Sequence, residues 1–218
     1  MAGLASVGNA QVCMGTPSFS TGSVRVGGNA MFSSDSKAYG AEAALGTYNG
    51  WFVTGNFAHA KDNNSQGSSN AGGGALSYEY KMNDANHVEL CPTVGVYAQS
   101  GSLVGEVPFV DAPQNTLDLH FGASLGWVAS SSESMEVIPA VGAALVARSY
   151  HSKIVTAGLP NPNTTESFGL ITGTIGFVFN KRCTISPMVQ LPVSATTGKA
   201  SYGVAVSYNF NPPGFLHR

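Results

Sequence analysis

The sequence predicts an all-β protein, a closed antiparallel up-and-down transmembrane β-barrel of about ten strands, with eight strands as the alternative. Apolar and small polar residues alternate in short segments; near the end, Tyr202, Val204 and Val206 alternate with glycine, alanine and serine. A period of two indicates a strand with one face in an apolar environment. Only 10% of the residues are charged, against roughly 25% in soluble domains. An uncharged second face is typical of a barrel interior, with the apolar face in lipid.

The alternating segments are separated by turn residues, which gives the strand count. We predict strands at 22–32, 38–48, 51–60, 74–82, 87–99, 115–128, 135–148, 166–179, 183–193 and 199–210. Asn49-Gly50 is a strong hairpin signal between the second and third strands. Short turns alternate with longer connections, which we place at 61–73, 100–114 and 149–165. Outer-membrane barrels have short periplasmic turns and long extracellular loops, so an even strand count places both termini in the periplasm.

One domain is predicted, because no linker, charge block or shift in composition separates the strands. We expect an N-terminal periplasmic segment at 1–18, the barrel at 19–211 and a C-terminal tail at 212–218. The stretch from Met1 to Ala10 is small and apolar but lacks a basic start, so it could be the remnant of a signal peptide. The net charge of −2 provides no basic footprint for a nucleic acid.

Aromatic residues occupy the outward positions nearest the short turns. This set comprises Trp51, Tyr80, Trp127, Phe179, Tyr208 and Phe210. Since all of them fall at one end of the barrel, they predict an aromatic girdle at one lipid–water interface. A β-sandwich core would not need its aromatic residues at one end.

Several short phrases carry a family resemblance. They are Val24-Arg25-Val26-Gly27, Ser36-Lys37-Ala38-Tyr39-Gly40, Leu90-Cys91-Pro92, Gly176-Phe177-Val178-Phe179-Asn180-Lys181 and Tyr208-Asn209-Phe210. From about residue 17 onward the chain resembles bacterial outer-membrane β-barrel proteins of the small OmpA/OmpX-like superfamily. The resemblance implies the outer membrane of a Gram-negative bacterium, with its lipid and its assembly machinery as partners. It implies no single function, since relatives are structural proteins, adhesins, small pores or, rarely, enzymes. Terminal Phe is usual in this family, whereas here residues 211–218 follow Phe210.

Charged residues at inward positions are the candidate functional set of the lumen. They are Arg25, Glu42, Glu79, Lys81, Glu89, Asp118, His120, Glu136 and Arg148. Charges taken out of water must be paired or hydrogen-bonded, so they could form a salt-bridged plug that holds the barrel rigid. They could also line a narrow polar path for water or small solutes, and the sequence leaves both open.

No catalytic, cofactor or metal site is predicted. Asp118-Leu119-His120 places a carboxylate and an imidazole on one face of a strand. Omptin-type proteases use acidic residues and a histidine at the same end, but here Glu106 and Asp111 in a loop are the only further acidic pair. Motifs of serine hydrolases, zinc proteases and nucleotide-binding loops are absent, and we predict that the protein is not an enzyme.

Three cysteines occur in a chain that we place in an oxidising compartment. Cys91 has inward parity near a periplasmic turn, and Cys13 precedes the first strand. A Cys13–Cys91 disulfide could therefore fasten the N-terminal segment to the barrel mouth, with Cys183 unpaired. Three free thiols are the alternative.

The long connections carry apolar residues that could contact a surface partner or cap the barrel mouth; we single out Val107, Phe109 and Tyr150. The predicted function is a structural or surface-interaction role for an outer-membrane barrel. A narrow passive pore is the alternative, and a secreted β-rich surface-assembly subunit is the second alternative.

Overall fold

The structure is a computed structural model that describes residues 24–47, 49–63, 67–83, 88–102, 113–152, 163–193 and 199–210. Its strands are β1 (Val24–Phe32), β2 (Ser36–Gly46), β3 (Trp51–Asp62), β4 (Ser68–Tyr78), β5 (Tyr80–Asn83), β6 (Val88–Ser102), β7 (Pro113–Gly126), β8 (Ser130–Ser131), β9 (Met135–Ser152), β10 (Asn163–Phe179), β11 (Cys183–Val193) and β12 (Ser201–Phe210). Across these ranges, no helix is long and apolar enough to cross a membrane.

Ten long strands form a closed antiparallel barrel in which each strand pairs with its neighbours along the chain. The last strand closes on the first, with Val24 of β1 opposite Phe210 of β12. The short strand β5 follows β4 and pairs with β6, while β8 pairs with the start of β9. The predicted all-β class, the closure and the count of about ten strands are confirmed.

The turns at the predicted periplasmic end are tight for identifiable reasons. Gly50 has a φ of 80°, which glycine adopts without strain, and the Thr47 N–H donates to the Trp51 carbonyl at 2.8 Å, so three residues separate this pair instead of the two that the sequence predicts. Between β10 and β11, Asn180 and Lys181 have φ values of 48° and 57°. Positive φ at consecutive central residues matches the right-handed twist of the two strands.

The connections at the opposite end are shorter than the sequence predicted. The predicted loop at 61–73 is wrong, because β3 continues to Asp62 and β4 begins at Ser68. Small polar residues that are typical of loops here continue the ladder, where His59 faces Asn70. Likewise β9 continues to Ser152 and β10 begins at Asn163, so both ends of the loop predicted at 149–165 belong to strands.

The two faces of the wall have inverted polarity relative to a soluble protein. Large apolar side chains such as Phe57, Phe121 and Leu145 are exposed on the outside, while arginine and carboxylate side chains are buried inside. Charged residues are almost never fully buried unless they are paired. An apolar exterior around a polar interior is the arrangement of a membrane-spanning barrel.

Tyr97 illustrates how glycines make room inside the wall. Its ring lies against Gly73 of β4 and Gly95 of its own strand, where an added Cβ would lie 2.8 Å from Tyr97 Cε2. At Gly73 an added Cβ would collide with both the Val96 carbonyl oxygen and the Tyr97 ring. A side chain at either position would therefore collide with the Tyr97 ring on the inner face.

The close approach at Gly73 leads to a stability prediction. Gly73→Ala is expected to lower the free energy of unfolding by about 1–3 kcal/mol, the range for overpacking a filled site. Urea unfolding in lipid vesicles, followed by heat modifiability on gels, measures the change. Gly55→Ala is the matched control, since a Cβ there would meet nothing closer than 3.9 Å. Equal losses for the two variants would mean that glycine content, rather than the Tyr97 contact, sets the effect.

Candidate functional site in the barrel lumen

A bidentate ion pair crosses from β7 to β9 in the lumen. The strand register places Asp118 opposite Arg148. Arg148 Nε donates to Asp118 Oδ1 at 2.8 Å, and Nη2 donates to Oδ2 at 2.6 Å. Both side chains are buried. Two parallel charge-assisted bonds of this kind fix geometry as well as charge, so the pair ties the two strands together on the inside.

Aromatic and polar side chains extend this pair into what we call the Asp118–Arg148 cluster. The Arg148 guanidinium lies 5.2 Å from the centroid of the Phe168 ring and 6.0 Å from the centroid of the Tyr150 ring. The Tyr150 hydroxyl donates to Glu166 at 2.8 Å. The cluster therefore links β7, β9 and β10 in the extracellular half of the barrel.

His120 joins the cluster on its other side. Its Nε2 lies 4.0 Å from Asp118 Oδ2, and its ring meets the Tyr97 ring edge to face at 4.7 Å. The carboxylate and imidazole that the sequence singled out are thus close, but both Asp118 oxygens accept hydrogen bonds from Arg148. Across the described ranges, no three His, Cys, Asp or Glu side chains are grouped as a metal site would need.

A second ion pair lies nearer the periplasmic end. Arg25 Nη2 donates to Glu42 Oε1 at 2.7 Å, and the Arg25 residue is 1% exposed. Glu42 faces Gly27 across the β1–β2 ladder, where an added Cβ would lie 3.2 Å from the carboxylate. Glycine at position 27 therefore leaves the space that the carboxylate occupies.

The remaining predicted lumen charges are spread around the periplasmic rim. Glu79 and Glu89 are buried, and Lys81 Nζ lies 3.9 Å from Glu79 Oε1. The sequence predicts that Lys81 faces the lumen, whereas in the structure 56% of its side chain is exposed. It reaches the rim because β5 ends there. Glu136 is half-buried opposite Val178 and takes part in none of the ion pairs of the described residues.

Apolar side chains are also buried on the inward face. Phe52, Val146 and Val178 are fully buried, and Ile138 is nearly so. Phe52 packs against Ala44 and Cys91. Sequence reasoning missed these residues because it assigned the inward face to polar side chains. A signal was present in Trp51-Phe52-Val53, where the inward position of an alternating strand carries a bulky ring.

One side of the lumen is lined differently, by small polar side chains. Within the described ranges, oxygens of these side chains are buried without a hydrogen-bond partner at Asn29, Thr172, Thr184, Gln190, Ser201 and Asn209. These residues lie on the consecutive strands β10, β11, β12 and β1, and we call them the polar strip. Thr172 faces Gln190, which in turn faces Ser201. Buried polar groups normally have a partner, so the polar strip is a place where water would bind.

The aromatic residues predicted as a girdle all face outward at the end with the tight turns. Trp51, Tyr80, Trp127, Tyr208 and Phe210 are exposed, and Phe179 is half-buried. The Trp51 ring contacts Tyr78 at 5.0 Å, and the Tyr208 ring contacts Phe210 at 4.7 Å between centroids.

The cysteine and loop candidates lie partly outside the described residues. Cys91 is fully buried, and Cys183 is a free thiol at the start of β11. Cys13, Val107 and Phe109 lie outside the described ranges, so the Cys13–Cys91 disulfide stays a prediction. The placement of Tyr150 in a loop is wrong: it belongs to β9, and its hydroxyl bonds to Glu166.

Solved structures similar to this chain are membrane barrels. The N-terminal β-barrel domain of Pseudomonas aeruginosa OprF aligns at 14% identity, covering 87% of this chain and 98% of that chain, with a TM-score of 0.38. The KdgM porin aligns at 10% identity, over 85% and 99% of the two chains, with a TM-score of 0.41. The Yersinia pestis protein Ail, solved with the heparin analogue sucrose octasulfate, aligns at 9% identity over 86% and 97%, with a TM-score of 0.31.

No family model matches the sequence, and no curated protein matches it significantly. The geometry of the chain itself gives the class. Ten antiparallel strands close without an edge, the apolar side chains face outward and the charges face inward. Only helices and closed barrels satisfy their backbone groups within lipid. The chain is therefore a ten-stranded antiparallel transmembrane β-barrel.

Proposed function

We propose that this chain is a bacterial outer-membrane β-barrel of the small OmpA/OmpX-like type, that it is non-conducting and not an enzyme, and that it has a structural or surface-interaction role through its extracellular loops. The observation that carries the proposal is the set of large side chains that are buried on the inward face at two levels. The Asp118–Arg148 cluster occupies the extracellular half, and Phe52 with the Arg25–Glu42 pair occupies the periplasmic half. Small barrels have an interior just wide enough for side chains. We infer that large side chains at two levels plug this wider barrel in the same way.

The role of the outward aromatic residues follows from the same orientation. We assign Trp51, Tyr80, Trp127, Phe179, Tyr208 and Phe210 to an aromatic girdle at the periplasmic interface. Amphipathic rings are favoured where lipid meets water, and these side chains share the outward face at one end. The lumen ion pairs then serve as internal braces between neighbouring strands.

Single-channel conductance in a planar bilayer tests the proposal. Protein that is shown to be folded by its heat-modifiable gel mobility is expected to produce no current steps, while a known porin in the same bilayer conducts. Arg148→Ala, which removes the guanidinium of the Asp118–Arg148 cluster, is the variant that tests whether any current passes through the lumen. Reproducible steps from the folded wild-type barrel would contradict a plugged lumen.

The surface-interaction part of the proposal concerns the loop residues Val107 and Phe109. Cells that display the wild-type protein are expected to aggregate or attach to surfaces more than cells that display a Val107→Ser/Phe109→Ser variant at the same surface level. Val53→Ser/Val96→Ser, on the lipid face, controls for hydrophobicity lost elsewhere. Equal attachment of wild-type and loop-variant cells would contradict the surface-interaction role and leave the structural role as the only one proposed.

A narrow water path is the second candidate function, and the polar strip is the observation that favours it. Its unpartnered oxygens run from Ser201 at the extracellular end to Asn209 at the periplasmic end. Stopped-flow shrinkage of proteoliposomes measures water permeability directly. A rate above that of protein-free liposomes, lowered by Ser207→Leu on the same face of β12, would favour the path. A rate equal to that of protein-free liposomes would exclude it.

A further inference from the structure

Two lysines face each other on the outer surface at the extracellular end of the barrel. Lys37 of β2 and Lys61 of β3 are direct cross-strand partners. Both side chains are exposed and share the outward face with Tyr39 and Phe57. Like charges directly opposite each other on a sheet are destabilising. The arrangement therefore costs free energy unless an anion lies between the two ammonium groups.

The height of this pair places it at the outer-leaflet headgroups. Trp51 begins β3 in the aromatic girdle, and Lys61 lies near the other end of the same strand. At about 3.3 Å per residue and a tilt of about 40°, the rise between them is about 25 Å. That rise equals the height of the apolar band of an outer-membrane barrel, about 25 Å. The lysines thus lie where the lipid tails end.

The described residues supply no counter-charge for the two lysines. Neither lysine belongs to any ion pair of the described ranges. Asp35, in the turn before β2, accepts a hydrogen bond from Lys199 at 2.9 Å, and this bond lowers the pKa of Asp35. Asp62 already takes part in another interaction, and because it directly follows Lys61 in β3, its side chain lies on the opposite face of the strand. The local charge on the outer face is therefore positive.

Aromatic rings flank the lysines on the side of β1 and β12. Phe32 is opposite Lys37, and its ring centroid lies 6.3 Å from that of Tyr39 and 6.0 Å from that of Tyr202. On the other side, below Lys61, His59 Nδ1 lies 2.9 Å from Asn70 Oδ1. Cations above and aromatic rings beside them suit an amphipathic ligand, with a phosphate at the level of the lysines and acyl chains along the rings.

We propose that Lys37 and Lys61 form a binding site for the phosphate-bearing headgroup of an outer-leaflet lipid. A phosphate between the two ammonium groups would remove their repulsion, and Tyr39, Phe32 and Tyr202 would contact the first part of the acyl chains. The proposal rests on the outer-membrane orientation of the barrel, with the tight turns in the periplasm. It does not depend on whether the lumen conducts, so a current in the bilayer experiment would leave it unaffected.

Binding of diphosphoryl lipid A to the folded barrel in detergent, measured by native mass spectrometry, tests the site. Lys37→Gln/Lys61→Gln is expected to weaken binding on the order of thirty-fold, which corresponds to about 1 kcal/mol per lysine. Lys37→Arg/Lys61→Arg should retain binding. Lys181→Gln/Arg182→Gln, which removes the same charge from an exposed periplasmic turn, is the control and should bind as the wild type does.

Three results would overturn the proposal. The first is an equal loss of affinity in the periplasmic control, which would show that overall charge governs binding. The second is unchanged affinity in the Lys37→Gln/Lys61→Gln variant when its heat-modifiable mobility shows that it is folded. The third is displacement of the lipid by inorganic phosphate at similar concentrations, which would assign the lysines to a free anion instead of a lipid.

Discussion

Asp118→Ala is expected to destabilise the barrel by about 3–5 kcal/mol, the cost of removing one partner from a buried ion pair. The loss is large because Arg148 stays behind in a closed interior. Its guanidinium donates two hydrogen bonds to Asp118, and its face is already covered by the Phe168 ring. With the carboxylate gone, the buried guanidinium loses the counter-ion that accepts these two hydrogen bonds. The midpoint of urea unfolding in lipid vesicles reports the change.

The double variant Asp118→Leu/Arg148→Met separates the cost of an orphaned charge from the value of the pair. Replacing a whole buried ion pair by apolar side chains of similar volume is often neutral or stabilising. We therefore expect the double variant to unfold closer to the wild type than Asp118→Ala does. If the double variant is as unstable as the single one, the pair itself, and not the uncompensated arginine, carries the stability.

The strand pattern was predictable wherever one face is lipid-exposed and the other polar. The predicted strand at 183–193 coincides with β11, since Ile185, Val189 and Leu191 alternate there with small or polar residues. The prediction failed at the β3–β4 hairpin, where serine, asparagine and glycine continue the wall. Near the extracellular rim the outward face meets headgroups and water, so lipid no longer imposes an apolar pattern on it.

The lumen was predictable in outline because parity alone sends Asp118 and Arg148 to the inside. Their partnership was not, since it depends on the register between β7 and β9, which places the two residues opposite each other. Tyr150 was assigned to a loop because Pro160 and Pro162 follow it. In the fold it bonds to Glu166. The Lys37–Lys61 juxtaposition likewise arises only from the pairing of two strands.

The polarity of the outer face predicts a dependence on depth that no soluble β-protein would have. Phe121→Arg is expected to lower the free energy of unfolding by about 2–4 kcal/mol, the cost of an arginine at the bilayer midplane. Phe121 is exposed near the middle of β7, with Val94 and Leu145 on either side. Lipid surrounds this position, so the guanidinium would have to draw headgroups or water towards it.

Trp127→Arg, on the same outward face at the periplasmic end, should impair insertion less, by about 0–1 kcal/mol, because arginine near the interface can reach water. Phe121→Met controls for the lost ring without adding charge. Unfolding in vesicles and the yield of heat-modifiable protein give the two costs. Similar losses at Phe121 and Trp127 would contradict the assigned membrane position. A large difference, with Phe121→Met close to the wild type, requires lipid around the middle of the barrel and an interface at Trp127.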